Sequence, residues 1–263
     1  MESEIESNNS SFEGKNAIKR VWIGTSGWHY KHWLGTFYPE GLAASKMLAY
    51  YVQHFDTVEL NNSFYKLPAA SSLTAWRDST PPDFHFAVKG SRFLTHMKKL
   101  NNAEEGLRRF LDAVDVLDPK LGPILFQLPP NWEVDAERLA AFLEIFPRYR
   151  RCVFEFRNPT WDTAQVYELL SKYRAGYCIF DLAGYQSPVQ VSTDFAYLRL
   201  HGPGGKYQGS YNDAALARWA RRIREWAKEL QAVYVYFDND DSGYAPKDAL
   251  RLKAMIAGLW EGS

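Results

Sequence analysis

Four pairs of polar side chains recur two residues apart at the ends of short apolar runs: Glu59 with Asn61, Glu155 with Arg157, Arg199 with His201, and Tyr236 with Asp238. In an extended strand a spacing of two puts both members on the same face. Single polar residues, Ser26, Lys89, Gln127 and Asp181, close four further runs. Carboxylates and imidazoles are tuned toward neutral pH by burial and by neighbouring charges, which makes Glu155 a candidate general base and His201 a candidate proton donor. Lys89 is the third catalytic candidate. Together with Arg157 and Arg199 it would hold a phosphate or carboxylate, the guanidinium groups gripping the anion through two parallel hydrogen bonds. Glu59, Asn61, Gln127, Asp181 and Asp238 are the further ligand contacts expected from strand ends, and Trp28, Tyr65 and Trp161 those expected from aromatic loops. Pairing of buried charges among themselves, for instance Glu155 with Arg199 or Lys89 with Asp181, is the rival explanation. Eight separate strand ends turning polar cost desolvation that an apolar core would avoid, which favours a ligand site.

The runs that carry these residues are VWIGTS (21 to 26), DTVELN (56 to 61), FHFAVK (84 to 89), PILFQL (123 to 128), CVFEFR (152 to 157), GYCIFD (176 to 181), AYLRLH (196 to 201) and VYVYFD (233 to 238). Helical spacing separates most of them, as over 43–53, 103–117, 135–146, 163–173, 213–230 and 246–259. Strand then helix, eight times, predicts an α/β fold of the (β/α)8 TIM-barrel type, whose active sites lie at the C-terminal ends of the strands. The stretch LAGYQSPVQVSTDF lacks a helical period, so the connection between strands six and seven is expected to be irregular. A doubly wound sheet is disfavoured because no GxGxxG follows any strand. Residues 20–263 read as one barrel domain, and residues 1–19, polar and without an apolar stretch, as a disordered tail.

Composition narrows the function classes. Of 263 residues, 31 are Lys or Arg and 31 Asp or Glu, a balance that argues against a surface built for unspecific attraction to DNA or anionic lipid. No run of eighteen apolar residues suggests a membrane span. Two cysteines, Cys152 and Cys178, are too few for a disulfide scaffold, have no zinc spacing and read as reduced thiols of a cytoplasmic protein. The 9 Trp, 16 Tyr and 16 Phe are many, and five aromatic residues fall within 28–38 alone; they cap a large core or line a cleft for a sugar or a base.

Of six histidines, only His201 and His85 take inward strand positions, too few for a zinc cluster, so no cofactor is predicted. One Mg2+ or Mn2+ on Glu59, Glu155, Asp181 or Asp238 is the alternative, against which Arg157, Arg199 and Lys89 compete. GxSxG, P-loop and HExxH motifs are lacking. The reading is a metal-independent acid-base site for a small anionic or polyhydroxyl molecule. A nucleic-acid-binding barrel is the second reading, on Lys89, Arg92, Lys98 and Lys99 beside aromatic loops. A barrel that binds without catalysis is the third. Oligomeric state is left open.

Seven segments give the chain a family resemblance: GTSGWHYKHWLGTFYP (24 to 39), FDTVELNNSFYKLP (55 to 68), FHFAVKGSRFLTH (84 to 96), LGPILFQLPPNW (121 to 132), FEFRNPTW (154 to 161), YLRLHG (197 to 202) and VYVYFDN (233 to 239). They resemble the YecE-like family, also called the domain-of-unknown-function 72 family. The resemblance implies a TIM barrel, similar in shape to the endonuclease IV and sugar isomerase type, and supplies no established reaction. The chain departs from the family pattern at Asp238, where Asn is more usual, at Asn158, where His is frequent, and at His85, where Lys or Arg is frequent.

Overall fold

Alternating apolar runs and amphipathic spacers fold as their periods require. The computed structural model describes residues 20–261; the expected tail over 1–19 lies outside the described residues. In chain order the strands are β1 (Arg20–Thr25), β2 (Thr57–Leu60), β3 (His85–Lys89), β4 (Leu121–Gln127), β5 (Cys152–Glu155), β6 (Gly176–Leu182), β7 (Tyr185–Gln186), β8 (Phe195–Leu200) and β9 (Ala232–Phe237). The helices are α1 (Met47–Tyr51), α2 (Asn62–Tyr65), α3 (Ala70–Asp78), α4 (Glu104–Val114), α5 (Ala136–Ile145), α6 (Ala164–Tyr173), α7 (Asp213–Glu229) and α8 (Tyr244–Glu261). Around the barrel the order is β1-β9-β8-β6-β5-β4-β3-β2, every ladder parallel.

The expected irregular connection is there: β7 turns back antiparallel on β6, and the chain reaches β8 without a helix. Several elements depart from the sequence reading, the short α2 among them. The helix expected over 43–53 is short, because a 3-10 turn (Ala44–Lys46) takes its start. A helix that the spacing did not pick out, α3, follows β2; its weak amphipathicity, with Leu73 its one fully buried residue, explains the miss.

Two cores result from strand alternation. One fills the barrel with Trp22, Ala87, Leu125, Val153, Cys178, Tyr197, Tyr234 and Tyr236, Trp22 and Tyr234 stacking with centroids 4.9 Å apart. The other lies between strands and helices and includes Val58, Phe86, Phe126, Phe154, Leu198 and Val235. At the N-terminal end Arg151 donates to the Tyr234 hydroxyl at 2.7 Å, and Arg150 is held by Asp115 and Asp118. Cys152 and Cys178 are both buried free thiols. Among the described residues no helix is long and apolar enough to cross a membrane.

The seam between β1 and β2 is closed by few backbone bonds. Ser26 and Glu59 form an isolated parallel bridge, and the Gly27 N–H donates to the Glu59 carbonyl at 2.8 Å. Below it the Tyr51 hydroxyl, carried in by α1, accepts from the Thr25 N–H at 3.0 Å and donates to the Thr57 carbonyl at 3.0 Å, so a side chain bridges the strands. A Cβ on Gly24 would lie 2.2 Å from the Thr57 oxygen; glycine is what lets the strands approach. Tyr51→Phe leaves buried backbone groups without that partner and is expected to lower stability by about 1–3 kcal/mol. Urea unfolding with an unchanged m-value measures it.

Candidate functional site

Barrel strands deliver alternate side chains inward, and at the C-terminal ends of β2, β5, β8 and β9 these are charged. The centre is Arg199, fully buried with 1% of its side chain exposed. Its Nη1 donates to Glu155 Oε2 at 2.7 Å; its Nη2 donates to Glu59 Oε1 at 2.7 Å, Ser26 Oγ at 3.2 Å and Asp238 Oδ2 at 3.2 Å. Glu59 is further held by Ser26 and by the Tyr197 hydroxyl at 2.7 Å. Arg157 donates through Nε to Glu155 Oε1, stands on the Phe180 ring at 4.6 Å, and places Nη2 2.9 Å from His201 Nε2. His201 Nδ1 lies 3.0 Å from Asp238 Oδ2. A proton on Nδ1 satisfies both contacts: imidazole donates to Asp238 and accepts from Arg157.

These contacts change the roles expected from the sequence. Burial pushes the Glu155 carboxyl up, but Arg157 and Arg199 outweigh it and hold the group well below the usual carboxylate range. With both oxygens engaged, Glu155 is a counter-ion and a weak base, and this corrects its reading as the general base. Burial and then Arg199 lower the pKa of His201 below its ordinary value. The ring is therefore neutral near pH 7, its one proton committed to Asp238, which corrects its reading as a ready proton donor. Asp238 is held low, burial being outweighed by His201 and Arg199. Arg199 is saturated by carboxylates and cannot be a main anion holder, so the rival explanation, internal pairing, applies to it.

Two expected contacts lie elsewhere. Asp181 faces away from the ring: it hydrogen-bonds Tyr211 and is balanced by Arg218 of α7, because β6 turns Cys178 and Phe180 inward instead. Its suggested pairing with Lys89 is thereby excluded. Trp161 is fully buried; it stacks on Phe156 at 4.9 Å and gives its indole N–H to the Trp132 carbonyl at 2.8 Å, which makes it a core residue. Tyr65 is 82% exposed on α2, outside the ring.

Lys89, Asn61 and Gln127 are different. Lys89 is partly exposed. Its ammonium stands 4.6 Å from the centre of the Phe64 ring and has, among the described residues, no ion pair or hydrogen bond. Burial first, and Arg199 next, push it down to about 8, against the raising effect of Glu155, Glu59 and Asp238. The flanking register places Asn61 one residue after the Leu60 that pairs Val88, and Gln127 two after the Leu125 that pairs Lys89. Asn61 Oδ1 and Gln127 Oε1 are buried acceptors without a donor among the described residues.

Two clefts flank the charged ring. One of about 620 Å3 is lined by Trp28, Leu48, Leu60, Asn61 and Trp76, with Trp28 and Trp76 meeting edge to face; a smaller one of about 270 Å3 contains Arg157, Asp162 and Tyr185. Sequence reasoning missed Tyr207, whose ring lies 5.5 Å from that of His201, and Asp240, pushed up to about 6 mainly by burial. Both sit in loops, where the strand parity that found the others gives no signal. Among the described residues no three His, Cys, Asp or Glu side chains are grouped to hold a metal ion.

Removing Arg199 strands three carboxylates. Arg199→Met is expected to cost about 3–5 kcal/mol at neutral pH. Glu155 and Asp238 titrate lower folded than unfolded, so their stabilisation is present above the unfolded carboxylate pKa and is lost as the pH falls through the folded values. Urea midpoints across an acid pH series should show that loss in the wild type and a smaller one in Arg199→Met.

Against known proteins, the family model described as "Protein of unknown function DUF72" matches residues 22–261. The chain is 28% identical to UPF0759 protein YunF of Bacillus subtilis over 90% of this chain and 94% of that protein. With UPF0759 protein YecE of Escherichia coli K12 it shares 28% identity over 53% of this chain and 49% of that one. Among solved structures, a DUF72 family protein from Thermotoga maritima superposes with a TM-score of 0.82 at 29% identity, covering 90% of this chain and 99% of that one. One from Enterococcus faecalis gives 0.77 at 19% identity, covering 90% and 96%, a likeness of fold alone. With its barrel, its polar strand ends and the match over nearly its whole length, the chain belongs to the DUF72 family.

Proposed function

We propose that the C-terminal mouth binds a small anionic or polyhydroxyl molecule and performs acid-base chemistry on it without a metal, in a cytoplasmic protein whose two thiols stay reduced. Lys89 carries the reading. Every other strong charge in the ring is tied to a partner, whereas this ammonium is partly exposed and unpaired among the described residues. An amine lowered to about 8 exists in both protonation states near neutral pH, as an acid-base group must. Asn61 and Gln127 offer acceptors to ligand hydroxyls, the remaining edge of Arg157 a second cationic contact, and Trp28 a flat wall in the adjoining cleft.

The sign of the Lys89 shift yields a test. Folded, the group titrates near 8; unfolded, near its ordinary 10.5. Below 8 both states carry the proton and the fold bears the desolvation, a cost that fades as the pH rises from 8 to 10.5. Lys89→Met is thus expected to raise the melting temperature at pH 7 while losing the ligand. A thermal-shift series with phosphate and sugar phosphates should raise the wild type and leave Lys89→Met unmoved; a flat wild-type response removes the site.

One observation favours the second reading, a nucleic-acid surface. Tyr65, Phe93 and Met97 are 82%, 43% and 66% exposed, and Lys66, Arg92, Lys98 and Lys99 stand among them in sequence. Rings that stack bases between cations that follow phosphates bind single strands with steep salt dependence. On this reading single-stranded DNA binds at low salt, weakens as salt rises, and is lost in a Tyr65→Ala, Phe93→Ala double variant; no binding at low salt ends it.

A further inference from the structure

The ring holds three carboxylates, Glu59, Glu155 and Asp238, against two guanidinium groups, Arg157 and Arg199. One negative charge is left over, and Lys89 is the cation that faces it. An amine in that place has chemistry beyond proton transfer. We infer that Lys89 is a carbonyl-capturing nucleophile, forming a reversible imine with a small aldehyde or ketone that bears a carboxylate or phosphate. This rests on the mouth being a small-molecule site.

Three observations support it. Lys89 is partly exposed at the end of β3, with its nitrogen over the Phe64 ring and no hydrogen bond to break among the described residues. Its charged and titratable surroundings, Arg199 on β8, Glu155 on β5, Glu59 on β2, Asp238 after β9 and His96 beyond β3, leave a nucleophilic free-base fraction near neutral pH. At pH 8 about half of such an amine is unprotonated, against roughly one part in 300 of an ordinary lysine. The third is charge balance: a protonated imine keeps the single positive charge of the ammonium it replaces, so the surplus carboxylate charge stabilises the covalent state as well as the free one. Asn61 and Gln127, whose buried oxygens have no donor among the described residues, stand at the ends of the two strands that flank β3 and would accept from the hydroxyl of the addition intermediate.

The step balances without any redox partner. The nitrogen lone pair forms the N–C bond while the carbonyl π pair moves onto oxygen, which takes a proton leaving nitrogen. The nitrogen lone pair of this carbinolamine then forms the C=N bond as the C–O bond breaks; the hydroxyl takes a proton from solvent and departs as water, and the nitrogen keeps its remaining hydrogen, which leaves the protonated imine. Addition of water reverses the sequence.

The test uses the full chain, glyoxylate as a small anionic aldehyde and cyanoborohydride to reduce the imine, with the labelled lysine located by peptide mass. Lys89 is expected to be labelled roughly tenfold or more faster than any other lysine, with a pH midpoint near 8 rather than 10.5. Lys89→Arg, which keeps the positive charge, should lose the label and retain a thermal shift with phosphate. Labelling spread evenly over the lysines, or unchanged in Lys89→Arg, overturns the inference. If phosphate raises the melting temperature but Lys89 stays unlabelled, covalent capture alone fails; if neither occurs, the small-molecule site fails with it.

Discussion

A guanidinium group without water is the constraint around which this barrel is arranged. Arg199 sits where β8 ends, beyond the reach of solvent, and a bare cation there would be untenable; three carboxylates from β2, β5 and the end of β9 surround it. Each carboxylate has a second holder: Tyr197 and Ser26 for Glu59, Arg157 for Glu155, His201 for Asp238. Strands that are distant in sequence are thereby tied across the mouth by directional bonds. Hydrophobic burial could fill the same volume but would not specify which strand end faces which. The barrel's own ladder is weakest where β1 meets β2, and there Ser26 and Glu59 bring the network to the seam.

The same network sets the chemistry. Charges satisfied by one another are poor catalysts: they are held away from neutral pH and their lone pairs are occupied. Glu155 and His201 look catalytic by type and lose that character by pairing. Aromatic rings add to the effect, with Phe180 against Arg157, Tyr207 against His201 and Phe64 beneath Lys89. They exclude water and make each unpaired group more consequential.

Much of this was legible in the sequence, and the limits are physical. Alternation along β5, β8 and β9 was enough to turn Glu155, Arg157, Arg199, His201 and Asp238 inward, because a strand's period of two leaves only two choices and burial decides between them. The same reasoning fails on β6: Asp181 ends the run as a polar residue should, yet Cys178 and Phe180 face the interior and Asp181 is satisfied by Tyr211 and Arg218 outside. Trp161 failed for another reason. A tryptophan in a loop after a strand reads as a ligand wall, but its loop folds down over Phe156 and uses the indole as packing. Parity carries no information about which inward charges pair, since that depends on side-chain reach across the barrel, and none about loop residues such as Tyr207 and Asp240.

What remains after the pairing is Lys89. A fold optimised for stability alone would place a methionine or leucine there, since a partly buried ammonium with no carboxylate in contact loses hydration and gains only a distant Coulomb attraction and a ring face. The chain instead spends five charged groups and a neutral imidazole on a closed network whose net charge is negative by one, and then sets against it a single amine unpaired among the described residues. That arrangement is unfavourable for folding and suited to a group that must change its bonding. Natural chains depart from local optima of this kind at sites of function. The completeness of the Arg199 network is what sets Lys89 apart: with the neighbouring charges satisfied by one another, its ammonium is the strong charge of the ring left without an ion pair among the described residues.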